Sequence, residues 1–196
     1  MLKIKAVSLA LVGLFFVSAN AAAWVDEDLP VTMVLADAGV DDALFEMGIR
    51  HYQGDGAEQN YTKAFSMINK SAKKDYIPAQ NLVGLMYEEG TGVKKNPRAA
   101  FEWYEISAKQ GSSLGQHRLA TAYYNGLGIE SDYAKAFEWF EKSANQGFDL
   151  AQHDLGVMYN NGQGIAKNKV KAAEWFSKSC STGNKNGCDA KERLSQ

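Results

Sequence analysis

Cysteine and histidine are scarce in this chain, with two Cys and three His in 196 residues. Two thiols alone make a poor metal site, and no histidine follows Ala166 to complete one. No cofactor is expected. Basic charge is not in excess either. The formal net charge is −2, and without Lys3 and Lys5, which lie in a segment expected to be removed, 19 basic residues face 23 acidic ones, or −4. Such a chain lacks the electrostatic footprint for nucleic acid. Long apolar runs are missing as well. The strongest, Ala6 to Val17, has 12 residues, where a membrane span needs about 20.

That run follows two lysines and precedes Ala19-Asn20-Ala21 and Ala21-Ala22-Ala23. Positive start, short apolar core and small residues together read as a secretory signal over 1–23, cleaved near Ala21–Ala23. The mature chain is then expected in the bacterial periplasm or outside the cell, with no stable membrane insertion. No cysteine lies near the cleavage site to accept a lipid. In an oxidising compartment two nearby cysteines usually pair, so Cys180 and Cys188 are expected to form a disulfide.

What the chain does contain is self-similarity. Leu155-Gly156-Val157-Met158-Tyr159-Asn160-Asn161-Gly162-Gln163-Gly164 repeats Leu119 to Gly128, 36 residues earlier, and Val83 to Gly92, another 36 earlier. Met47 to Gly56 is a weaker fourth copy. A fixed period of this length marks a solenoid of small helical units, which builds binding surfaces more readily than catalytic pockets. The units run over 42–77, 78–113, 114–149 and 150–183. Residues 24–41 are a lead-in and a capping half-repeat, and 184–196 a C-terminal cap.

Each unit has one anatomy. Its first helix starts at Asp42, Pro78, Leu114 or Leu150 and carries an apolar stripe ending at His51, Tyr87, Tyr123 or Tyr159. A Gly-x-Gly turn stops it, the first glycine as a left-handed terminus and the second letting the chain reverse. The second helix follows the capping side chain of Asn60, Asn96, Asp132 or Asn168. It buries Trp103-Tyr104, Trp139-Phe140 and Trp175-Phe176, and loss of a buried Trp139 is expected to cost roughly 3–5 kcal/mol. Met67 replaces the tryptophan in the first copy, which should be softer. His51, in a tyrosine position, is expected to pack in the core.

Leu155-Gly156-x-x-Tyr159 followed by Ala172-x-x-x-Phe176, with the longer Gly162-x-Gly164 turn, resembles the Sel1-like repeat, a relative of the tetratricopeptide repeat. The resemblance covers about 42–183. It implies an all-α fold, a right-handed α/α superhelical solenoid of four 36-residue helix-turn-helix repeats with capping helices at both ends. It also implies a role as an adaptor, another protein or an extended peptide lying along a concave groove lined by first helices. Cys180-x7-Cys188 has the spacing of a secreted, cysteine-rich bacterial group associated with penicillin binding and weak β-lactamase activity. That group carries several such pairs, where this chain has one.

Carried over by position, the groove holds Asn81, His117 and His153 in one column, with Phe45. Tyr52, Glu88, Tyr124 and Asn160 form a second, and Glu89, Asn125 and Asn161, with Gln53, a third. Ile49, Leu85, Thr121 and Val157 lie between. Amides and phenols in this pattern suit the backbone of an extended peptide, or a cell-wall glycan. His117 and His153, one repeat apart, are expected about 10 Å from each other, too far to share a zinc at ~2 Å per bond. Ser71-Ala72-Lys73-Lys74 fits the Ser-x-x-Lys of penicillin-interacting enzymes, but neither Ser-Asp-Asn nor Lys-Thr-Gly accompanies it. Ser107, Ser143 and Ser179 recur at the same place without the lysine, so no catalytic residue is assigned. The expected function is that of an exported interaction scaffold. The alternatives are a weak β-lactamase or penicillin-binding hydrolase, and an effector or periplasmic immunity protein.

Overall fold

The computed structural model describes residues 39–194, together with Thr32, Leu35 and Ala36. The expected signal segment 1–23, and most of the lead-in that follows it, lie outside the described residues. Among the described residues there are nine helices and no strand: α1 (Asp41–Gln53), α2 (Tyr61–Ala72), α3 (Ile77–Glu89), α4 (Pro97–Lys109), α5 (Ser113–Asn125), α6 (Tyr133–Asn145), α7 (Asp149–Asn161), α8 (Lys169–Ser181) and α9 (Lys185–Leu194). Each helix packs mainly on its neighbours in the chain, and α9 also touches α7. The result is a helical solenoid of four hairpins. The first helices open one residue earlier than the periodicity suggests.

Local chemistry sets the helix limits. Asn60, Asn96, Asp132 and Asn168 each accept a hydrogen bond from the backbone N–H three residues on, at 2.9–3.1 Å. Such a cap contributes roughly 1 kcal/mol. The first helices stop at Gly54, Gly90, Gly126 and Gly162, all with left-handed backbone. The second glycine of each turn does more than reverse the chain. A Cβ on Gly92 would lie 2.0 Å from the Tyr61 carbonyl oxygen, and one on Gly164 2.1 Å from that of Tyr133. The turn of one repeat thus sits directly on the start of the preceding second helix.

Packing repeats with the same period. Ile68, Tyr104, Phe140 and Phe176 are buried against Gly48, Gly84, Ala120 and Gly156; a Cβ on Gly84 would meet the Tyr104 ring at 2.4 Å. Between repeats, Phe65–Tyr87, Phe101–Tyr123 and Phe137–Tyr159 meet edge to face at 5.2–5.3 Å, a favoured aromatic geometry. His51, at the tyrosine position of the first repeat, has no such phenylalanine before it among the described residues. It is half-buried and its Nδ1 lies 3.0 Å from the Glu58 carbonyl, so the expected core residue is an edge residue. Leu35 and Ala36 pack with Ala43, Leu44 and Met47 at this end. Arg50 replaces the Met86, Ala122 and Met158 of other repeats and pairs with Glu46 at 3.2 Å.

The tryptophans also differ from expectation. Trp103, Trp139 and Trp175 are only half-buried, and Lys142 and Lys178 lie 3.8 Å over the rings of Trp139 and Trp175. The residue after each is the one in the core, because 100° of helix rotation separates them.

Two polar columns fasten the helices, the serines within each hairpin and the glutamines between one hairpin and the next. Ser71, Ser107, Ser143 and Ser179 are fully buried. Ser71 donates to the Asp41 carbonyl at 2.8 Å, Ser143 to that of Ser113 and Ser179 to that of Asp149, while Ser107 donates to Asn81 Oδ1. Ser71 is therefore a structural hydroxyl, and Lys74 is taken up by Asp41 at 2.9 Å. Gln80, Gln116 and Gln152 donate to the carbonyls of Ala72, Ala108 and Ala144 at 3.3–3.4 Å. At these same two positions in the last unit stand Cys188 and Cys180, joined as a disulfide. The bond replaces the amide link and holds α9 on α8.

Two outcomes follow in unfolding and mass measurements. Phe140→Ala should cost roughly 3–5 kcal/mol in urea unfolding and Trp139→Ala clearly less, reversing the weight given to tryptophan by sequence alone. Ala144→Cys with Gln152→Cys should close a second disulfide, seen as a mass lower by two hydrogens and absence of additional free thiol; persistent thiols would mean the two columns are not equivalent.

Candidate functional site

The first column of expected groove residues is drawn into the seams between repeats. Phe45 meets Tyr76 edge-on at 5.3 Å. Asn81 donates from Nδ2 to Ser112 Oγ at 3.1 Å and accepts from Ser107 at 2.6 Å, tying three helices together. His117 packs on Phe148 and Phe140 with ring centroids 5.2 and 5.5 Å away, and His153 on Phe176 at 5.7 Å. The reason is register: this column faces the residue just before the next first helix. Its side chains hold the stack rather than stand open.

The two histidines are nonetheless linked, through a residue the periodicity gave no reason to pick. Asp154 Oδ2 lies 2.9 Å from His117 Nε2 and Oδ1 lies 3.0 Å from His153 Nδ1. One carboxylate thus bridges α5 and α7. Burial by itself would raise the Asp154 carboxyl, but hydrogen bonds from both imidazoles outweigh it and hold it below the ordinary carboxylate value. His117 Nδ1 is buried without a partner. Among the described residues no three His, Cys, Asp or Glu side chains converge as a metal site.

The remaining expected residues form two ledges at the C-terminal ends of the first helices. Over repeats 3 and 4, the Tyr124 hydroxyl lies 2.8 Å from Gln163 Nε2, Asn161 donates to Gln163 Oε1 at 3.2 Å, and Asn160 to Asn161 at 3.2 Å. Tyr124 also meets Tyr133 edge-on at 5.0 Å, and Asn125 is exposed beside it. Over repeats 1 and 2, Tyr52 meets Tyr61 at 5.3 Å. Burial first, then the charges of Glu89 and the neighbouring Tyr61, raise the Tyr52 phenol above its ordinary value. Glu88 accepts a 2.6 Å hydrogen bond from the buried Tyr104 hydroxyl, which burial and this carboxylate push far above its usual range. Glu89 accepts from Thr91 at 3.4 Å.

Sequence reasoning missed Asp154, Gln163, Tyr61 and Tyr133 as neighbours of these residues, and missed the bond from the buried Tyr104 to Glu88. Gln163 sits in the variable place between two turn glycines, and Asp154 in a column that reads Glu46, Leu82, Arg118, Asp154. Neither has a periodic signal. The tyrosine pairs do: Tyr52 with Tyr61 recurs 72 residues later as Tyr124 with Tyr133.

Comparison with known proteins bears on the fold and the family. The sequence profile described as Sel1 repeat matches residues 41–76, 77–112, 113–148 and 149–184. No curated protein matches the chain. A protective antigen present in uropathogenic Escherichia coli strains, displaying an SLR fold, is similar with a TM-score of 0.78 and 35% identity over 80% of this chain and 33% of its own. The chain thus spans about a third of that antigen's length. A Sel1 repeat protein from Oxalobacter formigenes has a TM-score of 0.72 and 25% identity over 80% of this chain and 71% of its own. Helicobacter pylori cysteine rich protein B shares the fold, with a TM-score of 0.53 and 24% identity over 65% of this chain and 95% of its own.

The bridged carboxylate sets a pH dependence. The folded pKa of Asp154 lies below its ordinary value of 3.8, so the bridge contributes fully above about pH 4 and is lost as pH falls through the lowered value. Unfolding of wild type and Asp154→Asn should differ above about pH 4 and converge in stronger acid.

Proposed function

Because this chain belongs to the Sel1 repeat family, we propose that it acts in the periplasm or outside the cell as a scaffold, binding another protein or an extended peptide along its first-helix face. Sel1 repeat proteins are generally protein-interaction scaffolds. The observation that carries the reading here is the amide–phenol ledge of Tyr124, Gln163, Asn160 and Asn161, which keeps hydrogen-bonding groups at the surface across a repeat boundary. Recognition of this kind uses aromatic anchors and directional polar groups, and needs no cofactor. The same groups suit a cell-wall glycan, and an effector or immunity partner would use the same face.

Export is supported by the Lys3, Lys5 and Ala6–Val17 pattern and by the Cys180–Cys188 bond. No helix among the described residues is long and apolar enough to cross a membrane. The hydrolase alternative gains nothing from Ser71, whose hydroxyl is buried and donated to the Asp41 carbonyl.

Affinity capture from the native envelope tests the reading. Wild type should retain a partner that Asn125→Ala with Asn161→Ala loses, while helical content by circular dichroism stays unchanged. Retention by both proteins, or serine-dependent nitrocefin turnover by the purified chain, would overturn it.

A further inference from the structure

The two helix layers carry opposite charge. The first helices α1, α3, α5 and α7 contain no lysine; Asp41, Asp42, Glu46, Glu88, Glu89, Asp149 and Asp154 stand on them against Arg50 and Arg118. Every second helix carries at least two bases, and α2 has no acid at all.

The layers also differ in how that charge is answered. Many second-helix bases have partners within the chain. Arg98 pairs with Glu102, Lys109 with Glu105 and Lys135 with Asp132, while Lys142 and Lys178 cover tryptophan rings. On the first-helix layer, Glu46 pairs with Arg50 and Asp154 sits between two histidines. Glu88 and Glu89 have no ion-pair partner among the described residues. Arg118 opposes Glu88 in its effect on Tyr104 but forms no ion pair with it. The acidic surplus therefore concentrates over repeats 1 and 2, beside Tyr52 and Tyr61.

We infer that the first-helix face takes a basic extended peptide segment of a partner protein, its Lys or Arg side chains lying on the Tyr52–Tyr61 pair and reaching Glu88 and Glu89. This rests on the scaffold reading and names its partner's chemistry. Tyr61 and Tyr133 are 42% and 43% exposed, leaving ring area for an aliphatic stem or a guanidinium plane. The recurrence of the tyrosine pair two repeats on favours a segment that runs along the stack, with neutral hydrogen-bonding groups over the Tyr124 and Asn161 ledge. Exposed charges more than about 8 Å apart are screened at physiological salt, so the adjacent pair Glu88–Glu89, rather than the net charge of the chain, supplies the attraction.

Fluorescence anisotropy on the full chain tests this with a fluorescein-labelled peptide of repeated Lys-Ala-Gln units and a counterpart in which glutamate replaces lysine. The lysine peptide should bind, and bind more weakly as salt rises from about 50 to about 300 mM. Glu88→Gln with Glu89→Gln should weaken it roughly tenfold. Glu89→Gln alone, which leaves the Tyr104 hydrogen bond in place, should also weaken it. Glu102→Gln with Glu105→Gln, the same charge change on the second-helix layer, should leave affinity within about twofold. Equal losses in both double variants, or equal binding of the glutamate peptide, would overturn the inference. If the lysine peptide fails to bind while the envelope partner is still lost on Asn125/Asn161 substitution, the basic partner is wrong and the scaffold reading stands. If both are silent, both fall.

Discussion

Each repeat in this protein leaves a face that its neighbour must cover. The phenylalanine on each of the first three second helices is covered by the tyrosine of the next first helix, and the turn glycines let that next hairpin settle on the preceding helix start. Stability is thus a chain of neighbour contacts rather than one shared core. Each end of such a stack must be closed by something that is not a repeat. At the far end α9 does this with little apolar surface, and the disulfide takes the position where an amide link serves elsewhere.

The same constraint decides which polar residues remain at the surface. A side chain at the seam is recruited to hold hairpins together, as Asn81, His117 and His153 are. One at the C-terminal end of a first helix, beyond the seam, stays at the surface. The surface proposed for recognition is therefore a pair of ledges near the turns. One is acidic and aromatic over repeats 1 and 2, and the other is neutral and amide-rich over repeats 3 and 4. A carboxylate on one repeat can still reach the seam of another, as Asp154 does, and couple two repeats through hydrogen bonding as well as packing.

Much of this was readable before any coordinates. The 36-residue period, the asparagine and aspartate caps and the glycine stops are local signals, since each depends on backbone chemistry within a few residues. Repetition reinforced every one of them. Tryptophan misled because size is a poor guide to depth: one position of helix rotation separates Trp139, half-exposed beneath Lys142, from Phe140 inside. His51 misled because column membership assumes a neighbour on both sides. Glu88 gave no hint of its Tyr104 partner, which is a phenylalanine or isoleucine in the other repeats.

The sequence by itself determined the number of hairpins and, to within a residue, where each first helix begins, because both follow from short-range spacing. Only the tertiary structure decided which members of a column are spent on the seams and which stay free. It also brought Asp154 between two histidines and left Glu88 and Glu89 without an ion-pair partner among the described residues. Those outcomes depend on where one hairpin's side chains meet another's, a relation that period and spacing do not encode.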